Sequence, residues 1–170
     1  MKKLFLSAVI AVFVMCNVNA QDVNFGLKAG ADFASLKFKV DGDNASTSET
    51  GFYVGVFAEI GISESFIFQP EILYVSVEDL DQIAIPLMAK FPVSEEFNVL
   101  AGPALGILLD TEEGVNSFNF GLEAGISYDI SENFLIEARY NLGLANLIED
   151  APDDVSLKLS GFFVGIGYKF

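Results

Sequence analysis

Along most of the chain apolar and polar residues alternate one by one, the period of a β-strand with two unlike faces. Beyond residue 20 no stretch carries the 3.6-residue period of an amphipathic helix. The alternation predicts eight strands, at 24–39, 51–62, 66–77, 82–91, 97–109, 118–130, 134–146 and 157–170. Most run 10 to 14 residues, longer than the ~5–6 usual in soluble sheets and close to the ~9–11 of a tilted membrane strand.

The connections fall into two kinds. Ile62–Phe66, Val93–Phe97 and Ile130–Phe134 share the pattern [IV]-S-E-x-F, after strands two, four and six. Each reads as a tight hairpin. The other connections, 40–50, 78–81, 110–117 and 147–156, are longer on average and acidic. Short turns at one end and longer loops at the other are the asymmetry of an outer-membrane barrel.

Side-chain volume decides which phase faces in. Strand two divides Phe52, Val54, Val56, Ala58 and Ile60 from Tyr53, Gly55, Phe57, Glu59 and Gly61, and strands six and seven divide likewise. Of 15 glycines, 13 fall on the more polar phase; Gly42 and Gly114 lie in loops. The interior of an eight-stranded barrel barely accommodates side chains. The bulky apolar phase cannot fit there, whereas glycines alternating with long charged residues can. The apolar phase therefore points outward, which only lipid rewards; a soluble lipocalin-like barrel would need the reverse. The predicted fold is all-β: an eight-stranded antiparallel up-and-down transmembrane barrel. Pro70, Pro86 and Pro103 lie inside strands. A closed barrel has no free edge to absorb a missing N–H, so bulges or broken ladders are expected there.

Composition narrows the picture further. The 170 residues are 52% apolar, with no His, one Cys and a net charge of -15. The apolar content excludes a disordered chain, and the charge excludes a nucleic-acid binder. Residues 1–20 read as a cleavable signal peptide: Lys2 and Lys3, an apolar run to Met15, and a small-residue site ending at Ala20. The run, about 12 residues, is too short for a membrane helix, which needs ~20. Met15 before Cys16 is unlike a lipoprotein signal. Cleavage would leave residues 21–170 as one barrel domain, remove the only Cys, and take the charge from -15 to -17.

Several segments carry a family resemblance: Phe25–Phe33 (FGLKAGADF), Gln69–Tyr74 (QPEILY), Ile85–Leu87, Ala101–Gly106 (AGPALG), Ala138–Gly143 (ARYNLG) and Gly165–Phe170 (GIGYKF). Over nearly all of residues 21–170 the chain resembles the small porin-family outer-membrane β-barrel domain of the Bacteroidetes type, an OmpX/OmpW-like eight-stranded barrel. The resemblance implies residence in the outer membrane and supplies no catalytic motif. The strand ending in Tyr168 and Phe170 also resembles the C-terminal signal read by the barrel assembly machinery.

The inward phase collects Lys28, Asp32, Glu59, Glu71, Lys90, Glu123, Asp129, Glu137, Arg139 and Lys169, with Gln69, Asn119 and Asn141. Buried charges persist only when paired, so these residues predict a salt-bridged plug. Paired carboxylates such as Glu123 and Glu137 are of the type used in acid–base chemistry, but no nucleophile motif accompanies them. Without His, the chain lacks the residue that resembling membrane-barrel enzymes generally use. Gly165-Ile166-Gly167 has no helix after it and is a strand spacer, not a nucleotide loop. The outer loops hold 13 acids and no Lys or Arg, a solvated face. Asp41-Gly42-Asp43-Asn44 and Asp153-Asp154 offer oxygens to Ca²⁺ but lack the spacing of a known loop, so no metal site and no cofactor are expected. Lys37, Lys39 and Lys158 lie on the outward phase near the loop end and are candidates to meet lipopolysaccharide phosphates. The expected partners are thus outer-membrane lipid, lipopolysaccharide and the assembly machinery, for a monomeric, non-enzymatic barrel with a structural or surface-interaction role. The alternatives are a narrow porin-like channel for small hydrophilic or amphipathic solutes, and a subunit of a larger envelope complex.

Overall fold

The computed structural model describes residues 23–40, 43–78, 80–109, 114–148, 152 and 155–170. Residues 1–20, the expected signal peptide, lie outside them. Eight strands form one closed antiparallel barrel in sequence order: β1 (Val23–Val40), β2 (Asp43–Ser63), β3 (Phe66–Val77), β4 (Leu80–Pro92), β5 (Phe97–Leu108), β6 (Phe118–Asp129), β7 (Phe134–Gly143) and β8 (Ser156–Lys169). Closure runs from Gly26↔Lys169 to Lys39↔Ser156 between β1 and β8, and Phe170 N–H donates to Phe25 O at 2.9 Å.

The turn motif has a local cause. In two of its three copies the Ser hydroxyl accepts from the N–H of the Phe three residues on, Phe97 to Ser94 at 3.0 Å and Phe134 to Ser131 at 3.1 Å. The same Phe carbonyl takes the N–H groups of Val93 and Ser94, or of Ile130 and Ser131. The first copy differs, because Ser63 pairs directly with Phe66 after a register shift at Gly61/Ser63.

At the other end the expected 40–50 loop is largely strand. β1 and β2 stay paired from Phe33↔Thr50 to Val40↔Asp43. Residues 45–50 are small or polar on both faces, and β8 supports β1 up to Lys39. Low hydrophobicity concealed a strand that projects beyond the membrane. The 78–81 connection is likewise shorter, with Val77↔Leu80 paired and Asp81 inside β4.

The prolines interrupt the ladder without bulging it. Pairing lapses at Ala58–Glu59 opposite Gln69–Pro70, at Glu71–Ile72 opposite Ile85–Pro86, and at Leu87–Met88 opposite Gly102–Pro103. It then resumes in the same register. The bulge expectation is corrected and the broken-ladder expectation holds, since no residue is inserted and only N–H donors are lost.

The outer surface is apolar. Phe25, Leu27, Phe52, Val54, Leu122, Leu142, Phe162 and Ile166 are among the exposed hydrophobics. Aromatic pairs ring both ends, with Phe134–Tyr168 and Tyr168–Phe170 centroids 4.9 and 5.6 Å apart below, and Phe33–Phe162 and Phe52–Tyr74 above. Rings at two levels mark the interfaces of a membrane barrel.

Candidate functional site

The lumen is stratified. Its lowest layer joins Lys90 to Glu59 at 2.5 Å and Lys169 to Asp129 at 2.9 Å, with Lys90 4.0 Å from Asp129. Asn98 donates to Asp129 at 3.1 Å.

The middle layer centres on Arg139, whose side chain is 0% exposed. It stands on β7, between the backbone and facing β6, because Gly125 opposite has no side chain: a Cβ there would lie 2.6 Å from Arg139 Cγ. Its Nη1 reaches Glu71 Oε2 and Glu123 Oε1, each at 2.9 Å, and Nη2 lies 3.1 Å from Glu137 Oε1. Lys28 Nζ adds Glu71 at 2.9 Å and Glu137 at 2.8 Å and lies 4.9 Å from the Phe57 ring centroid. Tyr53 Oη donates to Glu137 at 3.0 Å, and Gln69 Nε2 to Glu71 at 2.6 Å. One network thus ties β1, β2, β3, β6 and β7 across the lumen.

Tyr53 and Phe57 were legible as inward by phase but not as members of this layer. They fit because glycines make room; the missing Cβ of Gly165 would meet the Tyr53 ring and hydroxyl. Glu123 and Glu137 do come together, but with Arg139 between them, as an ion cluster.

Above the network the lumen turns apolar, a layer that the charged inward residues did not announce. Ala34, Leu73, Val75, Val77, Leu108, Leu159 and Phe163 pack with Leu147 from the connection after β7. Val115 and Leu157 pack against them. Asn146 holds this cap in place: its Oδ1 accepts from Leu157 N–H at 2.9 Å and Ile148 N–H at 3.2 Å, and its Nδ2 donates to Val155 O at 3.1 Å. The signal was the phase of β3 and β8 near their outer ends, where inward positions read Val75, Val77, Leu157 and Leu159.

Asp32 stands apart from these ion pairs. It is 2% exposed, and among the described residues it has no hydrogen bond or salt bridge, its Oδ1 being unpartnered.

On the outside, Lys37, Lys39 and Lys158 line one surface pocket of about 420 Å³ with Ser46 and Ser156. Lys37 and Lys158 are register partners across β1 and β8. No ion pair of any of the three exists among the described residues. Tyr168 and Phe170 are 39% and 69% exposed at the opposite rim. Asp41, Gly42, Asp153 and Asp154 lie outside the described residues, as do Asp79, Asp110, Glu112, Glu113, Glu149 and Asp150.

Solved structures share this barrel. A de novo designed transmembrane β-barrel aligns with 86% of this chain and 95% of its own, at 14% identity and TM-score 0.53. Ail, the attachment invasion locus protein of Yersinia pestis, solved with the heparin analogue sucrose octasulfate, aligns at 18% identity and TM-score 0.53, covering 88% of this chain and 99% of Ail. Neisserial surface protein A gives the same identity, coverage and TM-score. No curated protein matches the chain at a significant level. The family model for the outer membrane protein beta-barrel domain matches residues 7–170. With an apolar exterior, two aromatic rings and a charged interior, the chain belongs to that family and is a small eight-stranded protein of the outer membrane.

Proposed function

We propose that this protein is a non-conducting, non-enzymatic barrel, exported with loss of residues 1–20, that acts as a monomer in a structural or surface-interaction role. The observation carrying the reading is the buried ion cluster: Arg139, fully buried, bridges three carboxylates from three strands, and the apolar cluster around Leu147 packs above it. A solute would have to break both. Terminal recognition by the assembly machinery rests on exposed Tyr168 and Phe170.

The Lys37, Lys39 and Lys158 pocket is the proposed contact for lipopolysaccharide phosphates. On β1 the outward series is apolar to Phe33 and then reads Ser35, Lys37, Lys39. Four residues beyond Phe33 is about 13 Å along a strand, or about 10 Å of height at a barrel's tilt, the depth of headgroup phosphates. Like charges directly opposed, as Lys37 and Lys158 are, destabilise a sheet, and a phosphate between them reverses that sign.

Planar-bilayer recording tests the plug. Wild type is expected to give no discrete openings, whereas Arg139→Ala combined with Leu147→Ala is expected to give them. Steady channels from the wild-type protein would instead establish the narrow porin-like reading.

A further inference from the structure

The lumen's charges do not balance. The lowest layer has two bases and two acids. The middle layer has two bases, Lys28 and Arg139, for Glu71, Glu123 and Glu137, and Asp32 adds a further carboxylate with no partner. No other base of the chain can supply the deficit. Of its nine Lys and Arg, two lie in residues 1–20, three line the outer pocket, and the remaining four are already paired. Two negative charges are left over in a space where isolated ions are costly.

They are left over in one place. A cavity of about 30 Å³ sits between the ion network and the apolar cap; its polar lining is Asp32, Glu123, Asn119, Asn141, Gln82 and Ser160, and the rest of its wall is mostly apolar. Three oxygens of that lining are buried without a hydrogen bond: Asp32 Oδ1, Asn119 Oδ1 and Glu123 Oε1, the last touching only Arg139 at 2.9 Å. Asn141 spends its Nδ2 donor on Glu123 Oε2 at 3.3 Å. Asp32 extends over Gly161, where a Cβ would lie 2.6 Å from its Oδ1. Three acceptor oxygens from β1 and β6 thus face the cavity without a hydrogen bond, and its volume exceeds the ~10–15 Å³ that one water requires.

We propose that this cavity is a binding site for a hard divalent cation, with Asp32, Glu123 and the Asn119 amide oxygen as ligands. Two carboxylates, neutral oxygens and no nitrogen or sulfur form the donor set of Ca²⁺ or Mg²⁺, and a charge of +2 cancels the surplus. The ion would brace β1 against β6 at the level where the polar lumen meets the apolar cap. Ca²⁺, with the looser coordination, suits side chains arriving from separate strands.

The full chain refolded in detergent free of lipopolysaccharide, stripped with EDTA and given calcium, provides the test. Atomic emission after desalting should find one tightly held calcium per chain, and the unfolding temperature should rise with calcium. Asp32→Asn should lose both, while Asp153→Asn with Asp154→Asn, in the acidic 147–156 segment of the sequence, should keep both. Should Asp32→Asn fail to fold, Asn119→Ala should weaken calcium binding about tenfold or more. Wild type without bound calcium or magnesium, its stability indifferent to either, would overturn the proposal in favour of protonated carboxylates. So would retention of the ion in both lumen variants. Neither result bears on conductance, so the plug reading stands or falls separately.

Discussion

Arg139→Met probes the centre of the lumen. The substitution keeps a long, flexible side chain of similar reach and deletes the charge that meets Glu71, Glu123 and Glu137 at 2.9, 2.9 and 3.1 Å. Lys28 then faces two of those carboxylates alone, and Glu123 retains only the Asn141 amide. Removing one member of a buried ion pair costs about 3–5 kcal/mol because its partner stays buried and uncompensated. With three such partners the upper end of that range is expected. Adding Glu123→Gln removes one uncompensated charge, so the double variant should recover about 1–3 kcal/mol, the coupling typical of residues in one network. Urea unfolding in lipid vesicles, followed by tyrosine fluorescence and by the electrophoretic shift of folded barrels, measures both. A loss below about 1 kcal/mol, or strictly additive effects, would refute the view that this guanidinium holds the three carboxylates of the layer together.

Other consequences follow from the same geometry. Charge reversal of Lys37, Lys39 and Lys158 to Glu should abolish the stabilisation the barrel gains from lipopolysaccharide, about 1 kcal/mol per lysine at a charged surface; equal thermal shifts with and without lipopolysaccharide in wild type and variant would remove the phosphate contact. Gly125→Val should destabilise by about 1–3 kcal/mol or more, since its new atoms overlap Arg139 side chain and backbone; the same assay with Gly114→Val, at a glycine with nothing within 4 Å but a φ of +87°, separates crowding from backbone strain.

Much of the barrel was legible because a closed sheet couples every residue's face to its parity. The phase of glycine against bulk puts Lys28, Glu71, Glu123, Glu137 and Arg139 on the inward face, and the strand ends agree with the structure within about two residues except at the end of β7, which stops at Gly143 rather than 146, and at the start of β2, which lies at Asp43 rather than 51. There the signal failed, because residues 43–50 pair beyond the lipid, where no hydrophobic contrast is required. The apolar cap was hidden differently. Its inward residues have the right parity, but parity alone does not show that they meet one another above the ion pairs, and Leu147 belongs to a segment without alternation. The solitude of Asp32 was beyond sequence: parity says that a carboxylate points inward, and only the three-dimensional distribution of bases says which carboxylate is left without one.

The prolines give the ion network a second role. The three lapses in pairing lie side by side across β2 to β5, and unpaired backbone groups are costly in lipid. Glu59, Glu71 and Met88 sit within those lapses. Glu59 binds Lys90, which joins β2 to β4 over the strand between them, and Glu71 binds Lys28 and Arg139 from across the lumen. Side-chain bridges thus hold the wall where the ladder is weakest. If so, Glu59→Gln should lower hydrogen-exchange protection at Phe68, beside the lapse between β2 and β3, and at Ala89, beside the lapse between β4 and β5, more than at Ala29 or Val164 in the continuous β1–β8 seam. A uniform loss of protection around the barrel would mean that the pair contributes to global stability alone, because sub-global opening is what a local staple suppresses.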